Sequence, residues 1–169
     1  MEVVIAYYTR TGNTQALADL LAEELRTREH SVRLVPIAHG SEPGFFGCLS
    51  LASGRREAEI RNPEGELDLS GADLILLGAP VWAGRPAPFV RAFLERAKGL
   101  EGKPAGVFVS CNSHPDEAEA FAPAMAEHAA SMGLEVRAHL TASRKDRARH
   151  RDMACAFLDE LIPRGPQAP

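Results

Sequence analysis

Val3-Val4-Ile5-Ala6-Tyr7-Tyr8-Thr9-Arg10-Thr11-Gly12-Asn13-Thr14 is the stretch from which the rest of the chain can be read. Its first six residues form an apolar run rich in β-branched and aromatic side chains, the signature of a strand buried on both faces. Beyond it, Leu17, Leu20, Leu21 and Leu25 recur at helical spacing. The hexapeptide Thr9–Thr14 therefore occupies the turn between a buried strand and a helix. Backbone N–H groups in such a turn, with the orphan N–H groups of the helix's first turn, point at whatever lies above the strand end. That arrangement is an anion site, best suited to a phosphate. No Walker lysine is present, which argues against a nucleoside triphosphate with magnesium. Hydroxyls and amides alone suit a single phosphomonoester. The bland reading is that Thr and Asn cap a helix and Gly turns the chain.

The chain of 169 residues suits one domain with one sizeable core, here 1–163, followed by a frayed tail over 164–169. A net charge of −4 argues against a dedicated nucleic-acid binder. Cys48, Cys111 and Cys155 are far apart and odd in number, so neither a disulfide frame nor a zinc site is expected. A reducing compartment fits this usage. Glu2 and the brevity of the first apolar run do not read as a signal peptide. The apolar region Leu74–Gly84 is broken by Gly78 and Pro80 and is too short to span a bilayer. The expected location is the cytoplasm.

In order along the chain, the patterns predict a helix over 13–28 and a strand over Ser31–Ile37. Pro36 suggests a strand end or an edge strand. Residues 38–71 are punctuated by glycine and proline, with a short helix expected from Cys48 to Glu59. A connection of that length is functional or mobile more often than not; the plainer reading tucks Phe45, Phe46 and Leu49 onto the core. Asp73–Ala79 is a continuous apolar strand, followed by a loop over Pro80–Pro88 and a helix from Pro86 to Lys98. Ala105–Ser110 is the fourth strand. Ser113 with Asp116 looks like a helix cap, and Pro123 predicts a kink or a late start. Gly133 ends that helix, Leu134–Thr141 is the fifth strand, and Ser143 with Asp146 caps a last helix through Ile162. Alternating strands and helices call for a doubly wound α/β sheet.

Thr9, Thr11, Gly12 and Thr14, with Asn13 between them, resemble the Ser/Thr-x-Thr-Gly-x-Thr phosphate loop of the flavodoxin family. The segment Gly78-Ala-Pro-Val-Trp-Ala-Gly-Arg-Pro-Ala-Pro88 is similar to the flavin-edge loop of flavodoxins and FMN reductases. The resemblance implies a five-stranded parallel sheet in the order 2-1-3-4-5 with helices on both faces, and FMN as cofactor. It implies that Thr9, Thr11, Asn13 and Thr14, with the amides of Arg10 and Gly12, hold the phosphate. Pro80, Val81, Trp82, Ala83 and Gly84 would run along the isoalloxazine, and Cys111, Asn112, Ser113 and His114 would approach its pyrimidine side. The third loop departs from the family by lacking a Gly-Asp-x-x-Tyr segment, so no tyrosine is available to stack there, and either Trp82 covers the outer face of the ring or that face is open to a substrate.

Two functions follow from that resemblance. The preferred one is electron transfer to a redox partner protein; the alternative is NAD(P)H-dependent reduction of a quinone or similar small acceptor. The protein would work as a monomer or a homodimer, with no nucleic acid and no membrane span. Cys111 follows a buried strand and reads as a small core residue. No Cys-x5-Arg run is present, which argues against a phosphatase of this fold. The basic run Arg144–Arg151 reads as a solvated helix face, with a grip on a nicotinamide-cofactor phosphate as the other reading.

Overall fold

The computed structural model of the protein describes residues 1–40, 58–82, 84–114 and 120–162. In chain order the elements are β1 (Glu2–Tyr7), α1 (Asn13–Thr27), β2 (Ser31–Pro36), the single turn α2 (Glu64–Leu67), β3 (Leu74–Trp82) and β4 (Arg85–Pro86). They continue with α3 (Phe89–Arg96), β5 (Pro104–Cys111), α4 (Phe121–Ser131), β6 (Glu135–Ser143), a 3-10 segment Arg144–Arg149 and α5 (His150–Leu161). The five long strands are all parallel, in the order β2-β1-β3-β5-β6. That is the expected 2-1-3-4-5 arrangement. The sixth strand, β4, was not expected: it is a two-residue antiparallel return on β3.

β1 shows why the opening apolar run is a strand. Val3, Ile5 and Tyr7 face α1 and α5, and Val4, Ala6 and Tyr8 face the layer containing α3 and α4. None of these six side chains is more than 3% exposed. Alternation alone would leave one face polar; here both faces are covered, so the run is continuous. α1 buries Leu17, Ala18, Leu21, Ala22 and Leu25 against the same layer as Val3 and Ile5. Burying each of these leucines contributes about 1.5–3 kcal/mol.

Element ends differ from the sequence reading for local reasons. Pro36 closes β2, which pairs only with β1 and so is an edge strand that loses no ladder bond to the missing N–H. Pro80–Trp82 continue β3, because Trp82 pairs with Arg85 and the Ala87 N–H reaches the Pro80 carbonyl at 2.8 Å. The hairpin uses up Pro86 and Ala87, so α3 starts at Phe89. At the other end Lys98 is drawn into a bridge with Asp68, which stops the helix at Arg96. Pro123 lies in the first turn of α4, where its missing N–H costs nothing, giving the late start. Ser143 caps the following segment by accepting from the Lys145 N–H at 3.1 Å, but the first six residues are 3-10 before the chain settles into α5.

The expected helix ending at Glu59 does not reach that residue, since Ile60 instead bridges His39 in antiparallel fashion. Its remainder, with Phe45, Phe46 and Leu49, lies outside the described residues, as do Asp116 and the tail 164–169. The return of that segment is fixed by Asn62, which is 3% exposed. Its Oδ1 accepts from the Ala38 N–H, and its Nδ2 donates to the Pro36 carbonyl and to Glu66 Oε2.

Gly78 sits mid-sheet between Tyr7 and Phe108. A Cβ there would lie 2.2 Å from Phe108 Cζ. Gly78→Ala should therefore destabilise the fold by about 1–3 kcal/mol through overpacking. Urea denaturation checks this, and Phe108→Leu in the same background should recover part of the loss by giving the new methyl room.

Candidate cofactor-binding site

A parallel sheet presents its loops for ligands at the carboxyl ends of its strands. Here the loops after β1, β3 and β5 are neighbours because those strands are adjacent. In the first loop Gly12 has φ +80°, a conformation costly for a residue with a Cβ, and its N–H donates to Thr9 Oγ1 at 3.1 Å. No side chain caps α1. Asn13 Nδ2 donates to Thr11 Oγ1 at 3.0 Å. Thr9 and Thr11 each therefore accept one hydrogen bond and keep an O–H to donate elsewhere. Thr11 and Arg10 are exposed, and Thr9, Gly12 and Asn13 half-buried.

Thr14 is placed differently. It is 1% exposed, and its hydroxyl pairs with that of Ser110 on β5 at 2.7 Å. It ties the first turn of α1 to the strand two places along the sheet. Ser110 itself carries no motif, and only its position at the end of an apolar strand could have drawn attention to it.

The second loop is the β3–β4 hairpin. Pro80, Val81 and Trp82 are half-buried, Gly84 is exposed with φ +76°, and Ala83 lies outside the described residues. Trp82 packs edge-on against Tyr8 and Phe89, with ring centroids 5.5 and 6.0 Å away. Tyr8 in turn lies 4.2 Å from Phe89 and 5.3 Å from His39. The indole is thus held in an aromatic cluster at the sheet's end.

The third loop begins at Cys111, which is 8% exposed. Burial pushes its thiol above the ordinary value, and a hydrogen bond from the Ser113 amide opposes that shift. Its burial thus favours the thiol over the thiolate. Asn112 and His114 are exposed and Ser113 half-buried. The Ser113 carbonyl accepts from Ser143 Oγ at 2.6 Å, so the loop is anchored to the end of β6. A small open pocket lies behind Asn13, floored by Ser110 and Cys111 and rimmed by Arg144, Arg147 and His150. Arg147 Nη2 donates to Asn13 Oδ1 at 3.1 Å. The basic run read as a solvated face thus has one member touching the loop after β1. Among the described residues no cluster of three potential metal ligands occurs, and no helix is long and apolar enough to cross a membrane.

Residues 3–138 match the NADPH-dependent FMN reductase family. The chain belongs to that family. It is a flavodoxin-like family of FMN-binding flavoproteins, which agrees with the fold and with FMN as the cofactor. A stretch of 115 residues is 30% identical to an NAD(P)H dehydrogenase (quinone) of Cupriavidus metallidurans, covering 64% of this chain and 56% of that one. The chain thus spans little more than half the length of the curated relatives it matches. Among solved structures, a Streptococcus pneumoniae flavodoxin superposes with a TM-score of 0.65 at 19% identity, over 95% of this chain and 97% of that one. An archaeal flavodoxin gives 0.62 at 16% identity, over 95% and 99%. At these identities the likeness concerns the fold.

The first loop of this FMN reductase family member fits a phosphate ester chemically. It offers two hydroxyls oriented as donors and an uncapped helix start, and no carboxylate stands within Thr9–Thr14. The Thr14–Ser110 pair supports it from below. Thr14→Val or Ser110→Ala alone should each cost about 1–3 kcal/mol, because one buried hydroxyl is left without its partner. The double variant should cost clearly less than the sum. Chemical denaturation of the four proteins measures the coupling; strict additivity would show that the two hydroxyls do not depend on each other.

Proposed function

We propose that the protein is an FMN-dependent oxidoreductase that takes a hydride from NAD(P)H and passes reducing equivalents to a quinone or similar small acceptor. FMN, when bound, supplies the redox chemistry, and the chain supplies position and electrostatics. Thr9 and Thr11, with the amides of Arg10 and Asn13, bind its phosphate, and the Gly12 N–H holds Thr9 in place. Thr14 holds that turn to β5. The hairpin Pro80–Gly84 and the backbone of Cys111–Ser113 border the ring.

The observation that carries the reading is the engagement of Trp82. It is the only tryptophan, tyrosine or phenylalanine in Thr9–Thr14, Pro80–Pro88 and Cys111–His114. Its indole is already packed edge-on against Tyr8 and Phe89 rather than standing free. Apart from that indole, those loops bring no aromatic side chain to cover a flavin held between them, which supports a ring face on which a nicotinamide, and then an acceptor, can stack. Family membership over 3–138 supports the same reading. The rival, a carrier serving a redox partner protein, draws on the near full-length match to flavodoxins and on Gly84, whose positive φ lets the peptide beside the ring change orientation at little steric cost.

Two measurements test this. Mixed anaerobically with NADPH, the flavin-loaded protein should bleach at about 1–1000 per second, the range of enzyme turnover. Reduction only after adding a separate reductase would decide for the carrier. Thr11→Val should weaken FMN about tenfold, the worth of one hydrogen bond to a charged oxygen, while riboflavin binding stays within about twofold. Equal losses for both flavins would mean that the phosphate is held elsewhere.

A further inference from the structure

Arg147 stands 134 positions from Asn13 and meets it at the mouth of the phosphate loop. Guanidinium groups only donate. The Asn13 atom facing Arg147 must therefore be its oxygen, and the amide nitrogen must face Thr11. That nitrogen donates to Thr11 Oγ1, which leaves the Thr11 proton directed away from the amide. The chain of bonds runs one way, from Arg147 through Asn13 to the outward Thr11 hydroxyl. Arg147 is exposed, and among the described residues no carboxylate pairs with it or with Arg144, which rims the same pocket. One of its five N–H groups is used on Asn13.

We propose that Arg147 is a positioning residue of the phosphate loop: it fixes the Asn13 amide so that Thr11 presents a donor, and it sets a positive charge beside the bound phosphomonoester. This rests on the reading that Thr9–Thr14 hold the FMN phosphate. It adds a second cation to a loop that already carries Arg10, delivered from the segment after β6. A phosphomonoester carries up to two negative charges near neutral pH, so a cation within a few ångströms favours it and leaves an uncharged flavin unaffected.

The test uses the FMN-loaded protein. Dilution with detection of released flavin fluorescence gives the FMN dissociation constant, and exchange with riboflavin gives that of the uncharged analogue. Arg147→Met should weaken FMN about three- to tenfold, leave riboflavin within about twofold, and flatten the loss of FMN affinity between about 0.05 and 0.5 M salt. Arg147→Lys, which keeps a donor and the charge, should recover most of the affinity and the salt dependence. If Arg147→Met weakens both flavins alike, or neither, while the wild type still prefers FMN, Arg147 merely docks one helix on another and the proposal is overturned. If the wild-type protein itself does not distinguish FMN from riboflavin, the reading of the loop fails first, and this inference falls with it.

Discussion

β1 is hydrogen-bonded on both edges and covered on both faces, so Val3 to Tyr8 have almost no access to water until the chain leaves the sheet at Thr9. An unpaired polar group inside such a strand would cost several kcal/mol. The first place where this chain can carry polar chemistry is therefore the turn after Tyr8, and β3 and β5 obey the same constraint at their own exits. The site lies where the apolar ladder stops, and its components come together because β1, β3 and β5 are neighbours.

That constraint explains what could be read from the sequence. A continuous apolar run ended by hydroxyls and a glycine identifies β1 and its loop without reference to anything distant. The same holds for Leu74–Ala79 and for the edge position that Pro36 marks. What could not be read was long-range or hidden by proline. Pro80, Pro86 and Pro88 looked like a loop, yet β3 runs on to Trp82 and the chain doubles back, since the far side of the hairpin needs few N–H donors. Thr14 fits the loop pattern, but its hydroxyl is committed to Ser110, a residue 96 positions away. Arg147 sits in a run of like charges whose bland reading was the natural one; nothing local ties it to Asn13. Side-chain hydrogen bonds between distant elements have no periodicity and leave no mark on a single sequence.

The same neighbourhood supports the functional reading by composition rather than by a catalytic group. None of Thr9–Thr14, Cys111–Ser113 or the described hairpin residues supplies an activated nucleophile, and Cys111 is held as a thiol by its burial. A loop set built of hydroxyls, amides and one engaged indole can bind and orient, while bond-making is left to the cofactor. The donor set, the engaged indole and family membership all favour hydride transfer through a bound flavin over chemistry performed by side chains.

Trp82 is the only tryptophan in the chain, and it stands at the sheet's carboxyl end against Tyr8 and Phe89. The molecule thus carries one emitter, fixed at the rim where the three loops meet. Ultraviolet emission excited at the indole band reports that rim alone, whereas circular dichroism averages over every helix. If the two signals melt together, the rim and the body unfold as one cooperative unit; if emission changes first, the rim is a separate, weaker unit. A flavin in the neighbouring loops would absorb where an indole emits, so Trp82 would make its arrival visible without a label.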